Sequence, residues 1–307
     1  MRRIGVLGAM LALLAWPGAA SAGDAPRVVV SLKPIHALAS AIMEGVGRPV
    51  LIVEGAASEH VYALRPSQAA SLETADAIFW VGPVMESYLI RSMAALPKHA
   101  RIVTLLDRPE LTRLPRRAGG PFEPDEDDHP AKDHGAVLDG HLWLDPENAR
   151  RIAHVMADTL AEIDPPHAQT YAANAKRLSA DLAALDGELR RRLAPLRDRP
   201  FIVFHDAYQY LEARYGLRVV GSITVDPSAT PSAKRVTEIR ARIKAQGALC
   251  VFSEPQFEPR LVRVLIEGLT VRTGALDPLG ASLPPGREAY FTLLRSLADA
   301  LETCLAR

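Results

Sequence analysis

Three histidines and one aspartate lie beside predicted strands and helices, where their side chains could bind a metal ion. His205 directly follows an apolar run, Asp277 follows another, His60 lies in the loop after an earlier run, and His141 precedes a long predicted helix. Ligands of open α/β sheets bind beyond the carboxyl ends of the strands. Three imidazoles with one carboxylate suit tetrahedral Zn²⁺, whereas more oxygen ligands would favour Mn²⁺. The spacing alone also fits unrelated loop histidines.

The elements that must position these residues alternate between short apolar runs and helical patterns. Eight strands are predicted, at residues 28–32, 50–53, 77–81, 102–105, 201–204, 218–221, 249–252 and 271–275. Strands that alternate with helices indicate parallel sheets with helices on both faces. The sequence therefore predicts an α/β protein with two similar lobes.

A long helical region separates the two predicted lobes. Helical patterns cover residues 146–163 and 166–196, and one apolar stripe runs along the second, at Leu178, Leu182, Leu185, Leu189 and Leu193. At 1.5 Å per residue the second helix would extend roughly 45 Å, which is long enough to join two lobes and to restrict hinge motion. A coiled-coil dimer seam is the alternative, but it needs a longer strict heptad.

These elements define the expected domain boundaries. Residues 1–22 form a signal peptide, residues 23–145 the N-terminal lobe, residues 146–196 the linking helices and residues 197–307 the C-terminal lobe. The N-terminal lobe includes a loop at residues 115–140 that carries six acidic residues between positions 123 and 133. This loop has neither helical nor strand periodicity, so we expect it to lie on the surface.

The N-terminus has the pattern of a signal peptide. Arg2 and Arg3 precede an apolar stretch at residues 4–15, and a small-residue cleavage site ends at Ala22. A retained signal anchor is the alternative. Because no cysteine stands at the cleavage site, we expect an exported protein without a lipid anchor.

The expected export of the chain would place its two cysteines in an oxidising compartment. Cys250 closes an apolar run and Cys304 lies in a predicted C-terminal helix. A lone pair in an oxidising compartment most simply forms one disulfide, and a zinc thiolate site is the competing interpretation.

The composition argues against nucleic acid as a partner. Lys+Arg and Asp+Glu both number 36, so the chain has no net basic charge to attract phosphates. Aromatic residues make up 6% of the chain, too few to indicate a base-stacking surface.

Seven stretches spread over nearly the whole mature chain resemble the TroA-like family of periplasmic metal-binding proteins. They are residues 31–34 (SLKP), 55–67 (GAASEHVYALRPS), 80–83 (WVGP), 141–144 (HLWL), 203–208 (VFHDAY), 253–257 (SEPQF) and 276–280 (LDPLG). Within that family, the sequence resembles the zinc-binding components of high-affinity zinc ABC transporters. The resemblance implies the fold of a class III (cluster A-I) solute-binding protein.

The resemblance also implies a role for each matching residue. His60, His141 and His205 match the three histidines that hold zinc, and Glu59 matches a fourth, replaceable ligand. Asp277 matches the aspartate that completes the site in manganese- and zinc-binding relatives, so it is the alternative fourth ligand.

Of two further features of the family, one is matched and one differs. Cys250 and Cys304 match a disulfide of Gram-negative members. The acidic loop takes the place of a histidine-rich loop but contains only His129 and His134, which are candidates for an auxiliary metal site.

Together these features predict a monomeric periplasmic protein that captures Zn²⁺ between its lobes and delivers it to an inner-membrane ABC permease, without catalysis. A manganese carrier is the alternative within the same family. An exported zinc hydrolase is the alternative from another class, because three ligands and an open position also describe a catalytic zinc. Against a hydrolase, the chain has no His-Glu-x-x-His helix, no Gly-x-Ser-x-Gly elbow and, apart from Glu59, no clear general base.

Overall fold

Two four-stranded parallel sheets lie at the centres of the two lobes. The structure is a computed structural model that describes residues 25–55, 62–117, 122, 137–224, 231–257 and 260–306. The first sheet contains β1 (Val28–Val30), β2 (Val50–Leu51), β3 (Ala77–Trp80) and β4 (Arg101–Thr104), in the order β2-β1-β3-β4. Its central strands are wholly buried, as parallel strands covered on both faces should be.

The second sheet repeats this topology. It contains β5 (Pro200–His205), β6 (Arg218–Thr224), β7 (Cys250–Ser253) and β8 (Arg272–Ala275), in the order β6-β5-β7-β8. All eight predicted strands are present within one to three residues of the expected bounds, and the prediction of two parallel α/β lobes is confirmed.

Helices cover the sheets and connect the lobes. They are α1 (Lys33–Ile42), α2 (Pro66–Thr74), α3 (Ile90–Ala95), α4 (Pro146–Ile163), α5 (Ala168–Leu193), α6 (Gln209–Tyr215), α7 (Ala233–Gln246), α8 (Arg260–Ile266) and α9 (Glu288–Leu305). The sequence pattern also predicts a helix over residues 85–95, but in the structure α3 begins only at Ile90, after a 3-10 turn at Ser87–Leu89. The buried Glu86 carboxylate accepts the backbone N–H groups of Val81 and Gly82, so this segment turns tightly before α3 begins.

The connection between the lobes is wider than one helix. The long helix α5 buries its predicted leucine stripe and is flanked by 3-10 turns at Pro165–His167 and Ala194–Leu196. It packs along α4, and α1 and α9 complete the same layer. Buried apolar residues of both lobes form one continuous core across these four helices.

The cysteine prediction is confirmed, because Cys250 of β7 and Cys304 of α9 form a disulfide. It ties the C-terminal helix to β7, an inner strand of the second sheet. Within the described ranges, none of the helices combines the length and the apolarity needed to cross a bilayer.

Candidate metal centre

His205 is the last residue of β5, which lies between β6 and β7 in the second sheet. Every residue of β5 is buried, and only 1% of the His205 side chain is exposed. Glu254 directly follows the neighbouring strand β7, and its two carboxylate oxygens lie 2.8 and 2.7 Å from His205 Nδ1. The parallel register thus places an imidazole and a carboxylate side by side at one edge of the sheet.

His141 is held by the turn that precedes α4. Asp139 Oδ1 accepts the backbone N–H of His141 at 2.9 Å and lies 2.8 Å from His141 Nδ1. Gly140 between them allows this turn to approach the lobe closely, since a Cβ atom there would lie 2.7 Å from Met85 Cε. Asp139 therefore holds His141 at both its backbone nitrogen and its imidazole ring.

The two imidazoles face each other across the boundary between the lobes. The Nε2 atoms of His141 and His205 are 3.2 Å apart. Two nitrogen ligands of a tetrahedral zinc ion with bonds of 2.0–2.1 Å are about 3.3 Å apart, so this distance fits one edge of a zinc site.

The hydrogen bonds behind the rings determine what the pair can bind. An ionised carboxylate only accepts hydrogen bonds, so Nδ1 of each ring carries the hydrogen that is donated to Asp139 or Glu254. Each Nε2 lone pair is then directed at the other, and the two atoms can share one proton or one metal ion. A histidine whose second nitrogen donates to a carboxylate is the usual arrangement around protein-bound zinc.

Asp139 is itself held by the other lobe. Gln209 of α6 donates from Nε2 to Asp139 Oδ2 at 3.1 Å, and the Tyr210 hydroxyl donates to the Asp139 carbonyl at 2.9 Å. Burial raises the pKa of Asp139, but the charge and hydrogen bonds of His141 and the hydrogen bond from Gln209 outweigh it and hold the pKa below its usual value. The carboxylate behind His141 is therefore ionised and connected to the C-terminal lobe.

An ion cluster next to His205 joins the stem of the acidic loop to α6. The Arg117 guanidinium binds the carboxylates of Asp206 and Glu212. Burial raises the pKa of Glu212 to about 7 although Arg117 opposes the shift. The stem itself is paired, since the backbone N–H of Arg116 donates to the Val137 carbonyl.

Asp277 lies at the same edge of the second sheet, just beyond β8, but its carboxylate is engaged in its own loop. Oδ1 accepts the backbone N–H groups of Leu279 and Gly280, and Oδ2 accepts that of Ala281. Gln256 Nε2 donates to Oδ1 as well. In the conformation seen here, Asp277 stabilises a turn.

The structure thus brings two of the predicted ligands together, His141 and His205. The other predicted metal-binding residues, Glu59, His60, His129 and His134, lie outside the described residues, as does the signal peptide. Over the part of the chain that is described, no group of three histidine, cysteine or acidic side chains is arranged to hold a metal ion.

Two residues that matter for the site were missed in the sequence, Asp139 and Glu254. A signal for each was present: an aspartate two residues before His141, and a glutamate immediately after a predicted strand. Each carboxylate is bonded to Nδ1 of one of the two predicted metal-binding imidazoles.

Two parallel-sheet lobes joined by a long helix, with an imidazole from each side meeting between them, have the architecture of a two-lobed solute-binding protein. The chain belongs to the ZnuA family: residues 28–304 match the family described as zinc-uptake complex component A, periplasmic. The High-affinity zinc uptake system protein ZnuA of Brucella suis biovar 1 (strain 1330) is 46% identical over 323 aligned residues, covering 94% of this chain and 95% of that protein. The protein of the same name from Paracoccus denitrificans (strain Pd 1222) is 37% identical, covering 98% of this chain and 97% of that one.

Solved structures agree with the fold. A crystal structure of ZnuA matches with a TM-score of 0.77 at 26% identity, covering 92% of this chain and all of that chain. The periplasmic zinc binding protein TroA from Treponema pallidum has the same TM-score at 20% identity and the same coverage, a likeness that concerns the fold alone.

Proposed function

We propose that this protein captures Zn²⁺ in the periplasm, between its two lobes, and delivers it to an ABC permease of the inner membrane. The observation that carries the proposal is the pair of imidazoles, His141 and His205, with Nε2 atoms 3.2 Å apart and a carboxylate behind each ring. Neutral imidazole is a preferred zinc ligand, and the carboxylates fix the rings in the tautomer that binds metal. Membership in a zinc-uptake family supports zinc as the cargo.

His60 and Glu59 are proposed as the remaining ligands. They belong to the stretch at residues 55–67 that resembles the zinc-binding family members. The described chain approaches this stretch through β2 (Val50–Leu51), whose carboxyl end lies at the ligand-binding edge of the first sheet. Asp277 is the alternative fourth ligand, and His129 with His134 is the proposed auxiliary site.

The remaining parts of the proposal follow from the sequence. We propose that the signal peptide at residues 1–22 is cleaved after Ala22 and that the exported protein acts as a monomer. A binding protein rather than a zinc hydrolase is favoured because the carboxylates beside the imidazoles, Asp139 and Glu254, are bonded to the rings and not directed at an open position. The zinc-loaded protein should accordingly be inactive on ester, amide and phosphate substrates.

Calorimetric zinc titration of single alanine variants tests the ligand set. Loss of a residue that hydrogen-bonds to a metal ligand typically weakens metal binding by roughly 10–100-fold. Loss of a ligand itself should cost more, so His60→Ala, His141→Ala and His205→Ala should each weaken zinc binding beyond this range while the apo protein remains folded. Glu59→Ala should cost less, because water or another carboxylate can take its place. His99→Ala is the control, since His99 is exposed and far from the site in sequence.

The titration is repeated in competition with Mn²⁺ to decide the metal. A tight zinc site in His141→Ala or His205→Ala would overturn the ligand assignment. Preference of the wild-type protein for Mn²⁺ would replace zinc by manganese as the cargo.

A further inference from the structure

Lys33, in the SLKP stretch at the start of α1, reaches from the N-terminal lobe into the C-terminal lobe. Its ammonium donates to the carbonyl oxygens of Gly280 at 2.8 Å, Ala281 at 2.7 Å and Leu283 at 2.9 Å. Only 6% of Lys33 is exposed, and lysine is almost never buried to this extent without partners. The three carbonyls match the three N–H donors of the ammonium group, so the charge is fully satisfied.

The loop that Lys33 holds is the loop of Asp277. The backbone N–H groups of Gly280 and Ala281 donate to the Asp277 carboxylate at 2.9 and 2.6 Å. The carbonyls of the same two residues accept from Lys33. Two consecutive residues therefore lie between the ammonium and the carboxylate, so a movement of this segment away from Lys33 also moves the amides that occupy Asp277.

The loop has one specific backbone conformation. Gly280 adopts a φ of +65°, and a Cβ atom there would lie 2.8 Å from Leu283 Cδ1. The Trp143 indole donates from Nε1 to the Pro278 carbonyl at 2.8 Å. This hydrogen bond, from the segment that carries His141, is the second contact that holds the loop. The loop is thus clamped from two places outside its own lobe.

Asp277 is near the proposed zinc site without being in it. It follows β8, which is separated from the His205 strand β5 by β7 alone. With neighbouring strands about 4.8 Å apart, the carboxyl ends of β5 and β8 are about 10 Å apart. A modest shift of the loop would therefore bring the carboxylate within reach of a metal bound to His205.

The contact between Lys33 and the loop borders a cavity. A cavity of about 390 Å³ is lined by Lys33, His36 and Glu54 on one side and by Ala281 and Leu283 on the other. On this side the loop is held by the Lys33 hydrogen bonds next to open space rather than by closely packed side chains.

We propose that Lys33 is a specificity-determining positioning residue that keeps the Asp277 carboxylate folded into its own loop and thereby keeps the metal site rich in nitrogen ligands. Such a site favours Zn²⁺, whereas an added carboxylate oxygen favours Mn²⁺. The inference rests on the proposed function, because it assumes that the metal binds at His141 and His205.

The test compares the ratio of zinc to manganese affinity in Lys33→Met with that of the wild-type protein. Calorimetry gives both affinities, and the electron paramagnetic resonance signal of free Mn²⁺ provides an independent measure of manganese binding. The ratio should shift toward manganese by roughly tenfold or more in Lys33→Met, and Asp277→Asn in the same background should reverse the shift. Lys176→Met, which removes an exposed lysine, is the control and should leave the ratio unchanged.

The reversal by Asp277→Asn separates a positioning role from a merely structural one. Equal weakening of both metals, an unchanged ratio, or a shift that persists in the double variant would overturn the proposal. If Lys33→Met does not unfold cooperatively, the same ratio is measured in Lys33→Gln, whose amide retains two donors. Failure of the wild-type protein to bind zinc through His141 and His205 would instead overturn the proposed function.

Discussion

Replacing Glu254 with glutamine removes the negative charge behind His205 with little change in side-chain volume. The Glu254 carboxylate accepts from His205 Nδ1 and from the Tyr208 hydroxyl, the latter at 3.2 Å. It also lies 3.4 Å from the backbone nitrogen of His205. The glutamine carbonyl can still accept one of these hydrogen bonds, but it no longer stabilises positive charge on the imidazole and its metal.

The expected cost follows from this loss of charge. Partners of this kind change metal affinity by roughly 10–100-fold, which corresponds to about 1.4–2.7 kcal/mol. We expect the upper part of this range for Glu254→Gln, because the side chains of Glu254 and His205 are each only 1% exposed and water cannot replace the lost charge. Asp139→Asn should have a similar effect through His141, since that pair is nearly as buried and the distance to Nδ1 is again 2.8 Å.

Competition between the protein and a chromophoric zinc chelator measures the affinity, and circular dichroism of the apo variants verifies the fold. Glu73→Gln is the matched control, because this carboxylate is about half exposed and lies in α2, away from the imidazoles. Zinc binding by Glu254→Gln within a factor of about two of wild type would refute the argument that the carboxylates orient and charge the imidazole pair.

Three further predictions concern stability and the acidic loop. Replacing Cys250 and Cys304 together by serine should lower the free energy of unfolding in urea by about 4 kcal/mol, as expected for a loop of this length; an unchanged free energy would contradict it. Burial raises the pKa of Glu86 from 4.5 to about 7, so the native state holds a proton that the unfolded chain releases, and stability should fall as the pH rises from about 4.5 to 7. Glu86→Gln should abolish this decline, up to about 3 kcal/mol, and an equal decline in the variant would show that another group titrates. Deleting residues 119–135 should leave one tight zinc site by calorimetry, because the described stem is paired without them; loss of that site would show that the loop supplies a primary ligand.

The fold was largely predictable because its strands are short, apolar and separated by helical patterns. A strand such as β5 is buried on both faces of a parallel sheet, so its apolar run stands out in the sequence. The layer formed by α1, α4, α5 and α9 was not predicted, because periodicity shows that a helix has an apolar face but not which helix covers it. The predicted start of α3 was wrong because the buried carboxylate of Glu86 closes a turn just before the helix.

The site was predictable in part, for a different reason. The position of His205 at the carboxyl end of a strand could be predicted because the residue directly follows an apolar run, and ligands of parallel sheets bind at such ends. Asp139 and Glu254 could not be assigned, since their role depends on the distance to Nδ1 of a ring contributed by a neighbouring segment. The Lys33 hydrogen bonds join residues about 250 positions apart, and no local pattern indicates such a contact.

The carboxylates behind the imidazoles affect the net charge of the proposed zinc site. A carboxylate bound directly to the metal would lower the charge of a buried dication held by neutral imidazoles. Asp139 and Glu254 already bring two negative charges, one behind each ring, and these balance the two positive charges of Zn²⁺. A carboxylate bound directly, whether Glu59 or Asp277, would make the site anionic. The proposed site therefore needs no carboxylate ligand for neutrality, which gives a physical reason for the proposed Glu59 ligand to be replaceable and for Asp277 to be engaged by its own loop.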